Sequence, residues 1–328
     1  MAPSAAGTVG AVLALVTGCA GFIGSHLTEA LLARGDHVRG VDAFTPYYEP
    51  DRKRRNLAPS LAHDGFELVE ADLRRDPVEE LLDGVEVVYH LAAQPGVRVS
   101  WSDGFPTYVE HNVLATQRLL ESLRERAVRR VVYASSSSVY GNAARYPTSE
   151  DDLPRPHSPY GVTKLAAEHL CGLYAENYGI PTVSLRYFTV YGPRQRPDMG
   201  FSRFLAAIRE HRPLPVYGDG EQVRDFTFVS DVVAATIAAG AADVAPGAVF
   251  NVAGGSETTV NALLALLGEL VGGPCPVERL PAQPGDVRRT GGAIDRARAL
   301  LGWSPTVSLR EGLTRQLEWS RAAAAGEI

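Results

Sequence analysis

The sequence is poor in lysine: of its 32 basic side chains only Lys53 and Lys164 are lysines, and all the others are arginines. Cysteine is scarce too. Cys19, Cys171 and Cys275 are odd in number and widely spaced, which excludes a dense disulfide scaffold and a thiolate metal site. That usage fits a reducing cytoplasm. No apolar run is long enough to span a membrane, and the early one, Ala11 to Val16, lacks the basic flank of a secretion signal. Residues 1–10 therefore read as a frayed Ala/Gly tail before a first strand. A nucleic-acid binder needs a basic stripe, and here the net charge is −6 with a pI near 5.8. The run RKRR at Arg52–Arg55 is short and isolated. It reads as a solvated helix face, with phosphate contact by part of it as the alternative. No internal repeat or low-complexity segment appears.

What is present is ordinary globular material. The 328 residues are 45% apolar and 21% charged, enough for one large domain with a smaller annex, or for two domains. In the first half, short β-rich runs alternate with helical patterns. AVLALVT, HVRGVD, FELVE, VEVVYHLAA, RRVVYASS and TVSLRYF read as strands. Helices are expected from Phe22 to Gly35, from Thr107 to Arg126 and over Pro159 to Tyr178. A shorter one is expected after Asp76, with that residue as cap and Pro77 in the first turn. Strands separated by helices imply parallel βαβ units, and hence a doubly wound α/β sheet over residues 1–188. After Phe188 prolines and glycines become frequent (YGPRQRPDMG, HRPLPVYGDG, PAQPGD). Residues 189–328 read mainly as a smaller, irregular domain, with segments near 225–252 returning to the first.

TGCAGFIG places Gly18, Gly21 and Gly24 between a strand and a helix. Such a turn lets the backbone approach a pyrophosphate, whose charge sits at the helix N-terminus. A purely structural glycine turn is the bland reading. Asp42 ends the second strand, where a carboxylate accepts hydrogen bonds from adenosine ribose hydroxyls and repels a 2′-phosphate, favouring NAD over NADP. Asp72 ends the third strand and is placed to meet the adenine edge. His90 reads as a core histidine without chemistry.

Tyr160 and Lys164 are four residues apart near a helix start, so their side chains share a face. Tyrosine is a poor base at neutral pH, but an ammonium neighbour and the positive nicotinamide of oxidised NAD both favour its phenolate. Lysine suits that position better than arginine because it is a compact point charge with donors to spare for a ribose. Upstream, ASSSSVYG ends the fifth strand, on the side where ligands of parallel sheets bind, and Ser136 is placed to share a substrate oxygen with Tyr160.

In this order and spacing TGCAGFIG, Asp42, SSSSVYG and YGVTK resemble the extended short-chain dehydrogenase/reductases of the NAD-dependent nucleotide-sugar epimerase/dehydratase family. RYFTVYGPRQRPDM, GDGEQVRDFTFVSD and QPGDV resemble that family's substrate-side motifs. The resemblance implies a Rossmann domain, a small C-terminal α/β substrate domain, tightly held NAD, a UDP-sugar substrate and a homodimer built from two helices per subunit. No metal, nucleic acid or membrane is implied. On the cofactor side it places Phe22, Ile23, Leu73, Leu91, Ala92, Ala93 and Tyr187 beside the glycines and acids already named. On the substrate side it places Gly96, Val97, Arg98, Ser136, Ser137, Thr189, Arg196, Val216, Tyr217, Gln222, Arg224 and Asp286.

Enzymes of this kind share oxidation of the sugar C4 hydroxyl and then diverge. Dehydratases and decarboxylases resemble one another in carrying acids after the catalytic Ser or Thr, where this chain has Ser137 and Ser138. Without an acid, elimination lacks its proton carrier. Epimerisation needs none. Thr189, AAQPGVRVSW with Arg98, and RQRPDM with Arg194 and Arg196, together with TPYYEPDRKRR, look most like the UDP-glucuronate 4-epimerases. An arginine facing the sugar C5 substituent makes sense if that substituent is a carboxylate. Each arginine has a plainer reading as a phosphate ligand or surface ion pair. Gln283 stands where many UDP-glucose epimerases show arginine, which would leave pyrophosphate binding to Arg224. The alternatives are a UDP-glucose or UDP-N-acetylhexosamine 4-epimerase, a UDP-glucuronate decarboxylase, and a non-catalytic NAD-binding regulator. The Tyr-x-x-x-Lys pair speaks against the last.

Overall fold

A computed structural model describes residues 11–326; the reading of residues 1–10 as a tail lies outside them. The chain begins β1 (Leu13–Thr17), α1 (Phe22–Ala33), β2 (His37–Asp42), α2 (Pro50–Leu61), β3 (Phe66–Glu70) and β4 (Val87–His90). It continues with α3 (Phe105–Tyr108), α4 (Ala115–Ser122), β5 (Arg130–Ser136), α5 (Pro159–Tyr178) and β6 (Thr182–Tyr187). These strands and Ala248–Val252 form a parallel sheet in the order 248–252, β6, β5, β4, β1, β2, β3. That is the doubly wound arrangement, and its order reverses between β1 and β4, where a crevice opens at the strand ends. The central strands β4, β5 and β6 are buried along their whole length because both faces are covered. Ala14 and Val16 point into one core layer and Leu15 into the other, as the two-residue period of a strand requires.

Local chemistry fixes the element that carries the Tyr-x-x-x-Lys pair. Ser158 caps α5 by accepting a hydrogen bond from the Gly161 N–H at 3.1 Å, Pro159 fills the first turn, and Gly179 ends the helix at φ +69°. Tyr160 and Lys164 thus occupy its first two turns.

Three expectations are corrected. The segment after Asp76 forms only a 3-10 turn at Glu80–Leu82, and the Asp76 carboxylate accepts from the Asp72 N–H instead of capping a helix. The helix expected over Thr107 to Arg126 runs instead from Phe105 to Ser122, as α3, a π-helical stretch over Val109–Leu114, and α4 without a gap. The π stretch lets Asn112 bridge the backbone of Gln94 and the Thr163 hydroxyl, at 2.7 to 3.0 Å. The run RKRR does lie on a helix, α2, but its face is not wholly solvated: Lys53 is buried while Arg54 and Arg55 are exposed.

Beyond β6 the strands are short, none longer than five residues. Leu214–Tyr217 pairs with Val277–Leu280, and Val223–Asp225 pairs with Glu257–Thr259. The helix Val229–Ala241 packs back on α1, and Ala248–Val252 extends the main sheet beside β6. No helix among the described residues is long and apolar enough to cross a membrane.

Candidate active site

Two cavities open at the strand ends and share a wall. The first is a groove from the glycine turn to Tyr160. It is lined by Gly18, Gly21, Phe22, Ile23, Gly24, Asp42, Asp72, Leu73, Leu91, Ala92, Ala93, Lys164 and Tyr187. Every cofactor-side residue expected from the sequence therefore lies on one surface. Gly18 sits at φ +72°, and a Cβ there would come within 2.8 Å of the Ala92 nitrogen. A Cβ on Gly24 would run into the Gly18 carbonyl, so this glycine holds α1 against the turn. The groove's floor is thus backbone, as a dinucleotide cradle requires. Asp42 accepts hydrogen bonds from the N–H groups of Ala20 (3.2 Å) and Phe44 (2.8 Å), with Lys53 Nζ 3.6 Å away. Asp72 is less free than the sequence suggests. Arg74 holds its carboxylate at 2.6 to 3.1 Å and keeps it below the usual carboxylate range.

The second cavity is a cleft of about 800 Å³, within the usual range for ligand sites. Gly96, Val97, Arg98, Ser136, Ser137, Thr189, Arg196, Val216, Tyr217, Gln222, Arg224 and Asp286 all line it. Phe22, Tyr47, Tyr160, Tyr187 and Arg196 line both cavities and so mark the junction.

The four serines after β5 divide by environment. Ser135 donates to the buried Glu168 at 2.6 Å, and Glu168 in turn holds Arg186. Ser135 is therefore structural. Ser136 accepts from the Ser138 N–H at 3.1 Å and lines the cleft with Tyr160. Ser137 and Ser138 face the cleft.

Burial pushes the Tyr160 phenol up, while the Ser136 hydroxyl and the Arg196 charge pull it back. Burial lowers Lys164 itself to about 7, with Cys171 and Glu168 opposing, and its Nζ lies 4.5 Å from the centre of the Tyr133 ring. An ammonium in that setting has no oxygen partner of its own, whereas ribose hydroxyls would supply them.

The arginines separate as well. Arg196, near Tyr160 and Tyr47, is held bidentately by Asp198 at 3.0 Å through each nitrogen, and Tyr47 donates to the same carboxylate at 3.2 Å. Arg98 pairs with Asp286 at 2.9 Å and lies over the Tyr217 ring at 3.9 Å. Arg224 belongs to that group: burial lowers it, with Asp286 and Arg98 next in effect. Arg98 thus shares the Arg224 end of the cleft and stands apart from Arg196. Arg194 leaves the site altogether and pairs with Glu29 of α1 at 2.7 Å. His90 lies in the core, its ring nitrogens 2.8 and 3.0 Å from the Thr17 and Thr116 hydroxyls.

Sequence reasoning missed Lys53, Tyr47, Tyr48, His111 and Arg74 on the groove, and Asp198 and Arg203 on the cleft. Asp198 was the most legible of these, two residues from Arg196 in RPDM. No group of His, Cys, Asp or Glu among the described residues has the geometry to hold a metal ion.

Comparison with known proteins agrees with this geometry. A UDP-glucuronic acid 4-epimerase from Bacillus cereus, solved with UDP-glucuronic acid and NAD, superposes with a TM-score of 0.93 at 42% identity. The match covers 95% of this chain and 100% of that one. An uncharacterized UDP-glucose epimerase, YtcB, of Bacillus subtilis (strain 168) is 42% identical over 95% of this chain and 99% of its own. A UDP-glucose 4-epimerase of Mycolicibacterium smegmatis is 40% identical over 94% and 98%. The model of the NAD dependent epimerase/dehydratase family matches residues 14–253, and the chain belongs to that family.

Proposed function

We propose that the protein is an isomerase, an NAD-dependent 4-epimerase of a UDP-sugar, and that it converts UDP-glucuronate to UDP-galacturonate with the carboxylate retained. NAD in the groove would supply a reversible hydride acceptor facing the sugar C4. Gly18, Gly21 and Gly24 would admit its pyrophosphate, Asp42 its adenosine ribose, and Lys164 its second ribose. Tyr160 takes the C4 hydroxyl proton with Ser136 sharing the oxygen, and the C4 hydrogen leaves as hydride. The resulting 4-keto sugar turns, and the same two transfers run backwards on its other face. Residues 1–188 hold the cofactor in this scheme, and most sugar contacts come from residues 189–328 and the loops facing them.

The observation that carries this reading is the state of the acids. The carboxylates lining the two cavities are Asp42, Asp72, Asp198 and Asp286, and each is bound to a cation: Lys53, Arg74, Arg196 and Arg98. None of them follows Ser136, where Ser137 and Ser138 face the cleft instead, so no carboxyl stands at that position to carry a proton for elimination or to capture the enolate left by decarboxylation. A 4-keto uronate is a β-keto acid, so an enzyme that keeps its carboxylate must withhold that proton. Arg196, beside Tyr160, is the cation placed to pair the C5 carboxylate. UDP-glucose is the second reading, because Asp198 already neutralises Arg196 and relatives named for that sugar are as similar.

Product analysis by nuclear magnetic resonance from both sugars decides between them. UDP-galacturonate, with no net NADH, is expected; UDP-pentose with carbon dioxide, or a preference for UDP-glucose, would overturn the assignment.

We further propose a cytoplasmic homodimer. Leu114, Val162, Leu173 and Tyr178 are each about half exposed on the α4–α5 side, where a second copy would cover them. Light scattering at the monomer mass would refute the dimer, and recovery outside the cytoplasmic fraction would refute the location.

A further inference from the structure

Lys53 is the lysine that the chemistry above leaves unused. It stands in RKRR between arginines, yet it is only 7% exposed. Its Nζ is 3.6 Å from Asp42 Oδ1, 3.4 Å from Thr45 Oγ1 and 5.3 Å from the centre of the Tyr48 ring. All four residues line the groove. Asp42 is fixed from its other side by two backbone N–H groups, those of Ala20 and Phe44. The end of β2 therefore presents an ion pair where a lone acid was expected.

That difference changes the recognition problem. A lone carboxylate at this place excludes a 2′-phosphate by repulsion. Here a cation lies beside it, so the repulsion is partly cancelled and the local charge is close to neutral. An arginine would bring five donors in a rigid fork to a buried spot with two side-chain oxygen acceptors, whereas an ammonium suits the space.

We infer that Lys53 and Asp42 together set which dinucleotide the groove accepts, and that Lys53 is a latent 2′-phosphate ligand held in check by Asp42. With Asp42 present, its carboxylate takes both the ammonium and the ribose hydroxyls, and NAD is preferred. With Asp42 removed, the ammonium is released toward the space a 2′-phosphate would fill. The two lysines of the chain then serve the two riboses of one cofactor. The inference rests on the reading of the groove as an NAD site.

The test is titration calorimetry of NAD and of NADP into protein freed of nucleotide. It compares the parent, Asp42→Ser, Lys53→Met and the double variant, each checked for its fold by circular dichroism. Asp42→Ser should raise NADP affinity relative to NAD by at least about tenfold, the scale of one charge-assisted contact. The double variant should lose most of that gain, and Lys53→Met alone should make the parent's preference for NAD stronger. Lys53→Gln takes the place of the methionine variant if that one does not fold. No gain in Asp42→Ser, or an equal gain in the double variant, overturns the inference while leaving the NAD site intact. A parent that binds neither dinucleotide overturns the site itself and the inference with it.

Discussion

The groove and the cleft use the same pairing of acids with cations and put it to different ends. In the groove, Asp42 and Lys53 are both buried, and two backbone N–H groups hold the Asp42 carboxylate. In the cleft, Arg98 with Asp286 and Arg196 with Asp198 are partly open to solvent. A buried pair is costly to break, because one charge is left without a partner, whereas a partly exposed pair is worth less and exchanges partners more cheaply. The groove is therefore built to hold one molecule through its backbone, and the cleft to trade its internal carboxylates for those of a visitor. Tyr160 stands where the two meet.

Removing the phenol should separate the two regions most sharply. Tyr160→Phe should lose turnover by about a hundred- to ten-thousandfold, the scale of a general base, with NAD and UDP-sugar binding nearly unchanged. Steady-state rates beside equilibrium binding read both quantities. A Phe variant that turns over within tenfold of the parent would remove Tyr160 from the chemistry.

The same contrast explains what could be read without coordinates. The groove's residues follow strand ends in chain order, and their task falls mostly on backbone, so a glycine spacing and an acid at the end of β2 identified them. Lys53 was hidden because RKRR looks uniformly polar, and only the helical turn decides which of four cations points inward. The cleft gathers side chains from separate loops, and sequence alone could not pair Arg98 with Asp286 across 188 positions. It could not separate Arg194 from Arg196 either, since that depends on a backbone turn that puts Arg194 at φ +63°. The π stretch within the helix between Phe105 and Ser122 left no signal beyond its apolar pattern, because π turns are set by tertiary contacts such as those of Asn112.

Lys164 offers a test of what burying its charge costs the fold. Its folded value is about 7, against 10.5 ordinarily. Below pH 7 both folded and unfolded chains carry the proton, and the full cost of burying the charge is present. As pH rises from about 7 to 10.5 the folded chain releases the proton while the unfolded chain keeps it, so stability should rise across that window. At about 1.4 kcal/mol per pKa unit the effect is on the order of a few kcal/mol. Nucleotide-free Lys164→Met should melt higher than the parent at pH 6, and the gap should close by pH 10. Lys164→Arg, which cannot shed its proton, should show no closing and should also be strongly impaired in turnover. Parallel melting curves of parent and Met variant at all pH values would show that Lys164 is not desolvated.

The smallest expected effect lies within the cleft, between its two exchangeable arginines. If Arg196 trades Asp198 for the sugar carboxylate, Arg196→Ala should shrink the preference for UDP-glucuronate over UDP-glucose by about ten- to a hundredfold, the scale of one charge-assisted contact. Turnover of UDP-glucose should suffer less, because that sugar has no charge to pair and Asp198 is left free. Arg98 sits with Arg224 and Tyr217 instead, so Arg98→Ala should weaken both sugars alike and leave their ratio within about threefold, as loss of a contact shared by both ligands must. The ratio of kcat/KM for the two sugars is the reading, because it cancels any general loss of folding. An equal change of that ratio in the two variants would mean that Arg98 and Arg196 see the same part of the substrate, and the division of the cleft into a phosphate end and a sugar end would fall.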